Sequence, residues 1–237
     1  MSELIRPSIV LPATRAPITI LTKDGLKLVG EVAIPLGEIR SSLLCLHPNP
    51  TGGGMMDSHI YKKAANRLPA MAGIQVIRFN TRGTKSDAGT SEGGFEGGEG
   101  ESADVEAAIE YCFAVLGVAK LWVVGWSFGT DLALRYAKDA RIAGLILLSP
   151  PLQRTQSSDL KFWQADTRPV IAYIPERDEY LNPEQAIERF ADFPRLTLIP
   201  VTGARHLWVG EPYVQLILSE IAKHLAPDRL SLSTEVD

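Results

Sequence analysis

The chain reads as an α/β protein with a mostly parallel sheet and helices on both of its faces. Three observations carry that reading. Six short, largely apolar runs follow residue 37, and strands apolar on both sides belong to a sheet covered on both faces. Helical stretches separate those runs, the pattern of parallel strands joined by crossover helices. Finally, 237 residues of which 45% are apolar suit one α/β domain, residues 1–237, with its core in about 18–225.

The elements follow in order. Ile18–Leu21 and Lys27–Ile34 alternate in polarity around Lys23-Asp24-Gly25, the signature of an antiparallel hairpin. The six apolar runs are Leu43–Leu46, Gln75–Phe79, Leu121–Val124, Leu145–Leu148, Val170–Ile174 and Leu196–Ile199. Helices are expected over Tyr61–Met71, over Ser102–Leu116 and over Thr130–Lys138; in the second, Val105, Ala108, Ile109 and Cys112 share one face. Asn182-Pro183 is a cap followed by a first-turn proline and opens a helix over Glu184–Phe190. Glu211-Pro212 opens a last helix to about His224, and the polar tail from Pro227 to Asp237 is expected to be loose. Asp87–Gly100 holds six glycines and reads as a flexible, exposed loop. Its glutamates would repel a phosphate, and it lacks the G-K-[ST] of a nucleotide cradle. Pro150–Thr167 lies where a lid could be inserted, yet its roughly 18 residues are too few for a cap domain.

Composition narrows the function. A net charge of −4 and a pI near 5.6 oppose a nucleic-acid surface. Apolar runs such as Leu145–Leu148 are far too short to span a bilayer. Met1–Val10 has none of the charged start and long apolar segment of a secretory signal. Cys45 and Cys112 sit in apolar elements without metal-type spacing and read as core thiols. The expectation is a reduced, cytoplasmic protein with no metal, no cofactor and no membrane span.

Gly125-Trp126-Ser127-Phe128-Gly129 follows an apolar strand and precedes a helix. A tight strand-turn-helix elbow exposes a serine Oγ at the sheet edge, where a base can take its proton and a helix N-terminus can stabilise negative charge. Reacting groups in parallel sheets gather at the carboxyl ends of strands, so the partners of Ser127 are sought after later strands. Asp178 follows Val170–Ile174, and His206 follows Leu196–Pro200. In that arrangement His206 takes the Ser127 proton and Asp178 fixes its tautomer. Glu176 and Glu179 compete with Asp178 for the acidic position. His47 and His59 precede the serine and are expected to shape the site, while His224 falls in the last helix.

Two backbone donors are expected for an oxyanion: the amide of Phe128, next to the nucleophile, and one from the loop His47-Pro48-Asn49-Pro50-Thr51-Gly52-Gly53-Gly54. Pro48 and Pro50 have no N–H, so within 48–50 only Asn49 can donate. Trp126, Phe128, Leu152, Phe162, Trp163 and Trp208 are candidate borders of an open site. His47, Trp126 and Trp208 are the residues expected to bind substrate.

Together these pieces resemble the α/β-hydrolase superfamily, particularly small bacterial serine hydrolases without a cap. The resemblance rests on His47-Pro48-Asn49-Pro50, on Arg78-Phe79-Asn80-Thr81-Arg82-Gly83, on the Gly125–Gly129 elbow, on Asp178 and on His206-Leu207-Trp208. It covers most of residues 18–225 and implies an eight-stranded, mostly parallel sheet with strand two antiparallel, and a triad of Ser127, Asp178 and His206. Asn49, Lys85 and Pro175 depart from the pattern of related chains. The activity implied is hydrolysis of a small ester or thioester through an acyl-enzyme. Cleavage of amides, or binding without turnover on the same fold, are the other readings.

Overall fold

The computed structural model describes residues 3–4, 6–193, 195–228, 232 and 235–236. Its main sheet has eight strands: β1 (Thr14–Leu21), β2 (Lys27–Ile34), β3 (Ser41–Leu46), β4 (Ile74–Phe79), β5 (Leu121–Trp126), β6 (Ile142–Leu148), β7 (Val170–Arg177) and β8 (Leu196–Arg205). They lie in the order β1-β2-β4-β3-β5-β6-β7-β8. Only β2 runs against the rest: it pairs antiparallel with β1 and β4, and every other pairing is parallel. This is the α/β-hydrolase arrangement.

Side chains alternate across each strand, so the sheet divides the interior into two cores. Leu44, Leu46, Val123, Leu145 and Leu147 face α2 (Glu101–Glu110), α3 (Phe128–Tyr136), α4 (Ser157–Ala165) and α5 (Pro183–Arg189). Leu43, Cys45, Trp122, Val124, Trp126, Ile146 and Leu148 face α1 (His59–Ala72) and α6 (Glu211–Leu225). Among the described residues no helix is long and apolar enough to cross a membrane.

The register aligns the strand ends that matter. Leu46 stands opposite Gly125, and Trp126 opposite Leu148, so β3, β5 and β6 deliver the loops that follow them to one level of the sheet edge.

As its length implies, Pro150–Thr167 forms no cap: it contains α4, which lies on the body of the protein, where the Trp163 indole donates to Leu134 O at 2.8 Å and Lys138 pairs with Asp159 at 2.7 Å. Two other expectations need correction. The glycine-rich segment is fastened, not loose. Glu101 accepts from the amides of Glu96 and Gly98 at 2.9 and 2.7 Å, the Tyr136 hydroxyl donates to Gly98 O at 2.7 Å, and Arg154 donates to Gly97 O at 2.7 Å. At Gly98 and Gly100 the absence of a side chain leaves room for Arg154 and Glu96, where a Cβ would stand 3.0 Å from Arg154 Cδ and 2.5 Å from Glu96 Cδ. In the tail, Glu235–Val236 pairs antiparallel with Glu3–Leu4, so part of it is in regular structure.

Candidate active site

Strand β5 runs directly into α3, with Ser127 between them at φ 52° and ψ −120°. A non-glycine residue rarely adopts that conformation, which costs about 1–3 kcal/mol and persists only where its surroundings enforce it. The surroundings do. The Ser127 amide still donates to Leu148 O at 2.9 Å, as if the strand continued, while its carbonyl already accepts from the Thr130 amide at 2.8 Å and the Thr130 hydroxyl at 2.7 Å. The two flanking glycines explain how helix and strand approach so closely. A Cβ on Gly125 would stand 2.3 Å from Gly129 O, and a Cβ on Gly129 would stand 2.0 Å from Leu46 O. Any side chain at either position forces the backbone apart.

Asp178 and His206 come to this serine from β7 and β8. The His206 Nε2 lies 2.8 Å from Ser127 Oγ, and its Nδ1 lies 3.0 and 2.9 Å from the two Asp178 oxygens. A carboxylate only accepts, so Nδ1 carries the proton and Nε2 offers its lone pair to the serine. The Asp178 carboxylate is buried and also accepts from the amides of Tyr180 at 2.9 Å and Leu181 at 3.4 Å. Glu176 turns away to accept from the Gly203 amide at 2.6 Å, and Glu179 is exposed. Of the three acids considered, Asp178 is the one that meets the imidazole.

His206 is also held by its own carbonyl. That oxygen accepts from the Trp126 indole and from the Ser149 hydroxyl, each at 3.1 Å. Trp126 precedes Ser127 on β5, and Ser149 follows β6. The histidine backbone is therefore tied to the two strands that support Ser127.

The loop after β3 passes beside the elbow, because Leu46 O and His47 O are the atoms a Gly129 side chain would strike. Asn49 caps a short turn over Pro50–Gly52: its side chain accepts from the Thr51 amide at 3.2 Å, and its carbonyl accepts from Gly52 and Gly54 at 3.0 and 2.9 Å. Among the described residues, neither the Asn49 amide nor the Phe128 amide has an acceptor within the protein.

The substrate-binding expectations fail at all three positions. His47 is fully buried; its Nδ1 donates to Pro48 O at 2.7 Å and its Nε2 accepts from the Thr81 amide at 3.0 Å. Burial pushes its pKa down to about 4, so the ring is a neutral strut between two loops with no edge left for a ligand. Trp208 is fully buried among the side chains of the α1/α6 core. Trp126 is buried as well, edge-on to His59 at 5.1 Å and to Tyr61 at 6.2 Å. The Phe128 ring packs against Phe95 at 5.5 Å and beneath Arg154 at 4.9 Å, and Leu152 and Trp163 are also interior. Tyr180, which the sequence reading did not single out, lies against the His206 ring with centroids 4.6 Å apart. Among the described residues no three His, Cys, Asp or Glu side chains gather as a metal site.

Residues 42–195 match the family profile described as alpha/beta hydrolase fold. The chain belongs to that family. A lidless α/β serine hydrolase from Xanthomonas campestris superposes with a TM-score of 0.74 at 26% identity, covering 94% of this α/β hydrolase and 99% of the other chain. An esterase from Pyrococcus furiosus shares the fold, with a TM-score of 0.74, 18% identity and coverage of 93% and 98%. In sequence, an uncharacterised protein of Rickettsia prowazekii is 31% identical over 121 residues. That match spans 50% of this chain and 49% of the relative, about half the length of each. A lidless relative agrees with the way α4 lies flat on α3.

Proposed function

We propose that this α/β hydrolase is a serine hydrolase that cleaves carboxylic esters or thioesters through an acyl-enzyme, without a cofactor. The observation that supports it best is the 2.8 Å contact between Ser127 Oγ and a His206 whose other nitrogen faces the buried Asp178 carboxylate.

Ser127 Oγ attacks the carbonyl carbon as its proton passes to His206 Nε2, and Asp178 stabilises the imidazolium that results. Negative charge on the former carbonyl oxygen falls to the amides of Phe128 and Asn49. The first opens α3, where the helix dipole adds to the hydrogen bond, and among the described residues neither has an internal acceptor to give up. The tetrahedral intermediate collapses and the alcohol or thiol leaves with the proton from Nε2. Water then repeats the sequence on the acyl-enzyme, with His206 again as base.

A fluorophosphonate probe and p-nitrophenyl acyl esters test the reading. Wild type is expected to be labelled and to turn over, and Ser127→Ala to do neither. Asp178→Asn leaves the tautomer unfixed and should lower kcat by about 10⁴-fold. Aminoacyl-nitroanilides should be poorer substrates than the esters. A wild-type protein that resists the probe overturns the proposal.

A further inference from the structure

We propose that Tyr180 walls the leaving-group side of this site and selects esters whose alcohol portion is flat and aromatic. The inference rests on the hydrolase reading above.

In acyl transfer the bond from the carbonyl carbon to the alcohol oxygen breaks, its electron pair goes to that oxygen, and the oxygen takes the proton held on Nε2. The alcohol therefore departs alongside His206, whatever the acyl group is. The surface next to that imidazole decides which alcohols fit.

Tyr180 supplies that surface. Its ring lies 4.6 Å from the His206 ring at an interplanar angle of 56°, yet the residue stays 50% exposed, so one part touches the imidazole and the rest faces outward. Its position is fixed from both ends. The Tyr180 amide donates to Asp178 at 2.9 Å, the next residue, Leu181, is buried, and Asn182 caps α5 with Pro183 in the first turn. An exposed aromatic on a pinned backbone can hold a ligand without being ordered first. The other aromatics that border the reacting groups in sequence, Trp126, Phe128 and Trp208, are interior and offer no such face. Leu207 and Val209, on the segment after the histidine, are also exposed, at 52% and 72%.

The test compares benzyl acetate with ethyl acetate, which share an acyl group and differ in the alcohol. Intrinsic reactivity cancels when variants are compared on the same pair. Offset or edge contact between aromatic rings is worth about two- to twelvefold in affinity. Tyr180→Ala should therefore lose about that much more kcat/KM on benzyl acetate than on ethyl acetate, mainly through KM, with the pH–rate profile unmoved. Tyr180→Phe, which keeps the ring, should keep the discrimination. Tyr180→Leu gives the same comparison if the alanine variant does not fold. Equal losses on both esters, or a displaced pH profile, would reduce Tyr180 to a support for the imidazole and overturn the inference. Fluorophosphonate labelling of the same preparations separates the failures: a labelled wild type with equal losses sinks only this inference, and an unlabelled wild type inert toward both esters sinks the hydrolase reading as well.

Discussion

The two sides of the candidate site are held in different ways. Ser127 is set by main chain against main chain: two glycines let α3 cross β5 and touch the end of β3 where no Cβ fits. His206 is set by side chains, with Asp178 on its ring and Trp126 and Ser149 on its carbonyl. Backbone sterics tolerate no partial loss, whereas hydrogen bonds can be removed one at a time. The serine side should therefore fail as a unit and the histidine side should degrade in steps.

The largest effect should come from Gly129→Ala. The clash is with a strand carbonyl, which cannot swing aside as a side chain can. A displacement of order 1 Å at a reacting group costs about 100-fold. Labelling of Ser127 should slow by at least about that factor, and the melting temperature should fall. Near-normal rates in this variant would show that the elbow yields more readily than its contacts imply.

A smaller effect is expected for Trp126→Phe, which keeps one aromatic ring of the buried indole and deletes one donor to the His206 carbonyl. A typical hydrogen bond contributes about 1 kcal/mol, so kcat should fall about fivefold. Ser149→Ala should behave similarly. The double variant should lose more than the product of the two, because the carbonyl then has neither donor. Strictly multiplicative losses would mean that the two bonds do not share the task of placing the histidine.

The smallest effect on activity concerns His47, a loop strut outside both sides. Its folded pKa of about 4 lies below the ordinary value near 6.5. The unfolded chain therefore takes up a proton that the folded protein refuses. Stability conferred by the neutral ring is present above about pH 6.5 and drains away as pH falls toward 4, by about 3 kcal/mol in all. Urea unfolding at several pH values should show that slope, and His47→Gln should flatten it while leaving turnover at pH 7 much less affected than Gly129→Ala does.

Much of this arrangement could be read from the sequence because the signals are local or topological. Gly125 and Gly129 announce a tight crossing within five residues, and the carboxyl-end rule for parallel strands points to the loops that carry Asp178 and His206. Burial was harder to see. Trp126 reads as a flanking aromatic until it is counted in twos with Trp122 and Val124, which places all three on the α1/α6 face. That periodicity was available and would have removed Trp126 from the ligand candidates. No comparable signal marks Ser149 or Tyr180, because their contacts join segments more than 25 residues apart and depend on how β6, β7 and β8 lie side by side. The glycine-rich loop misled for a related reason: composition reports backbone freedom but not the Glu101, Tyr136 and Arg154 contacts that remove it.

The flat seating of α4 on α3 also bears on the fate of the intermediate. In the proposed mechanism, with none of the described helices arching over Ser127, bulk solvent would reach a covalently held acyl group as soon as the first product departs. A second alcohol would have to compete with water at about 55 M and would have no enclosed chamber to concentrate it. Under the proposed mechanism, such a mouth would favour hydrolysis over transesterification, even in mixtures rich in an alternative acceptor.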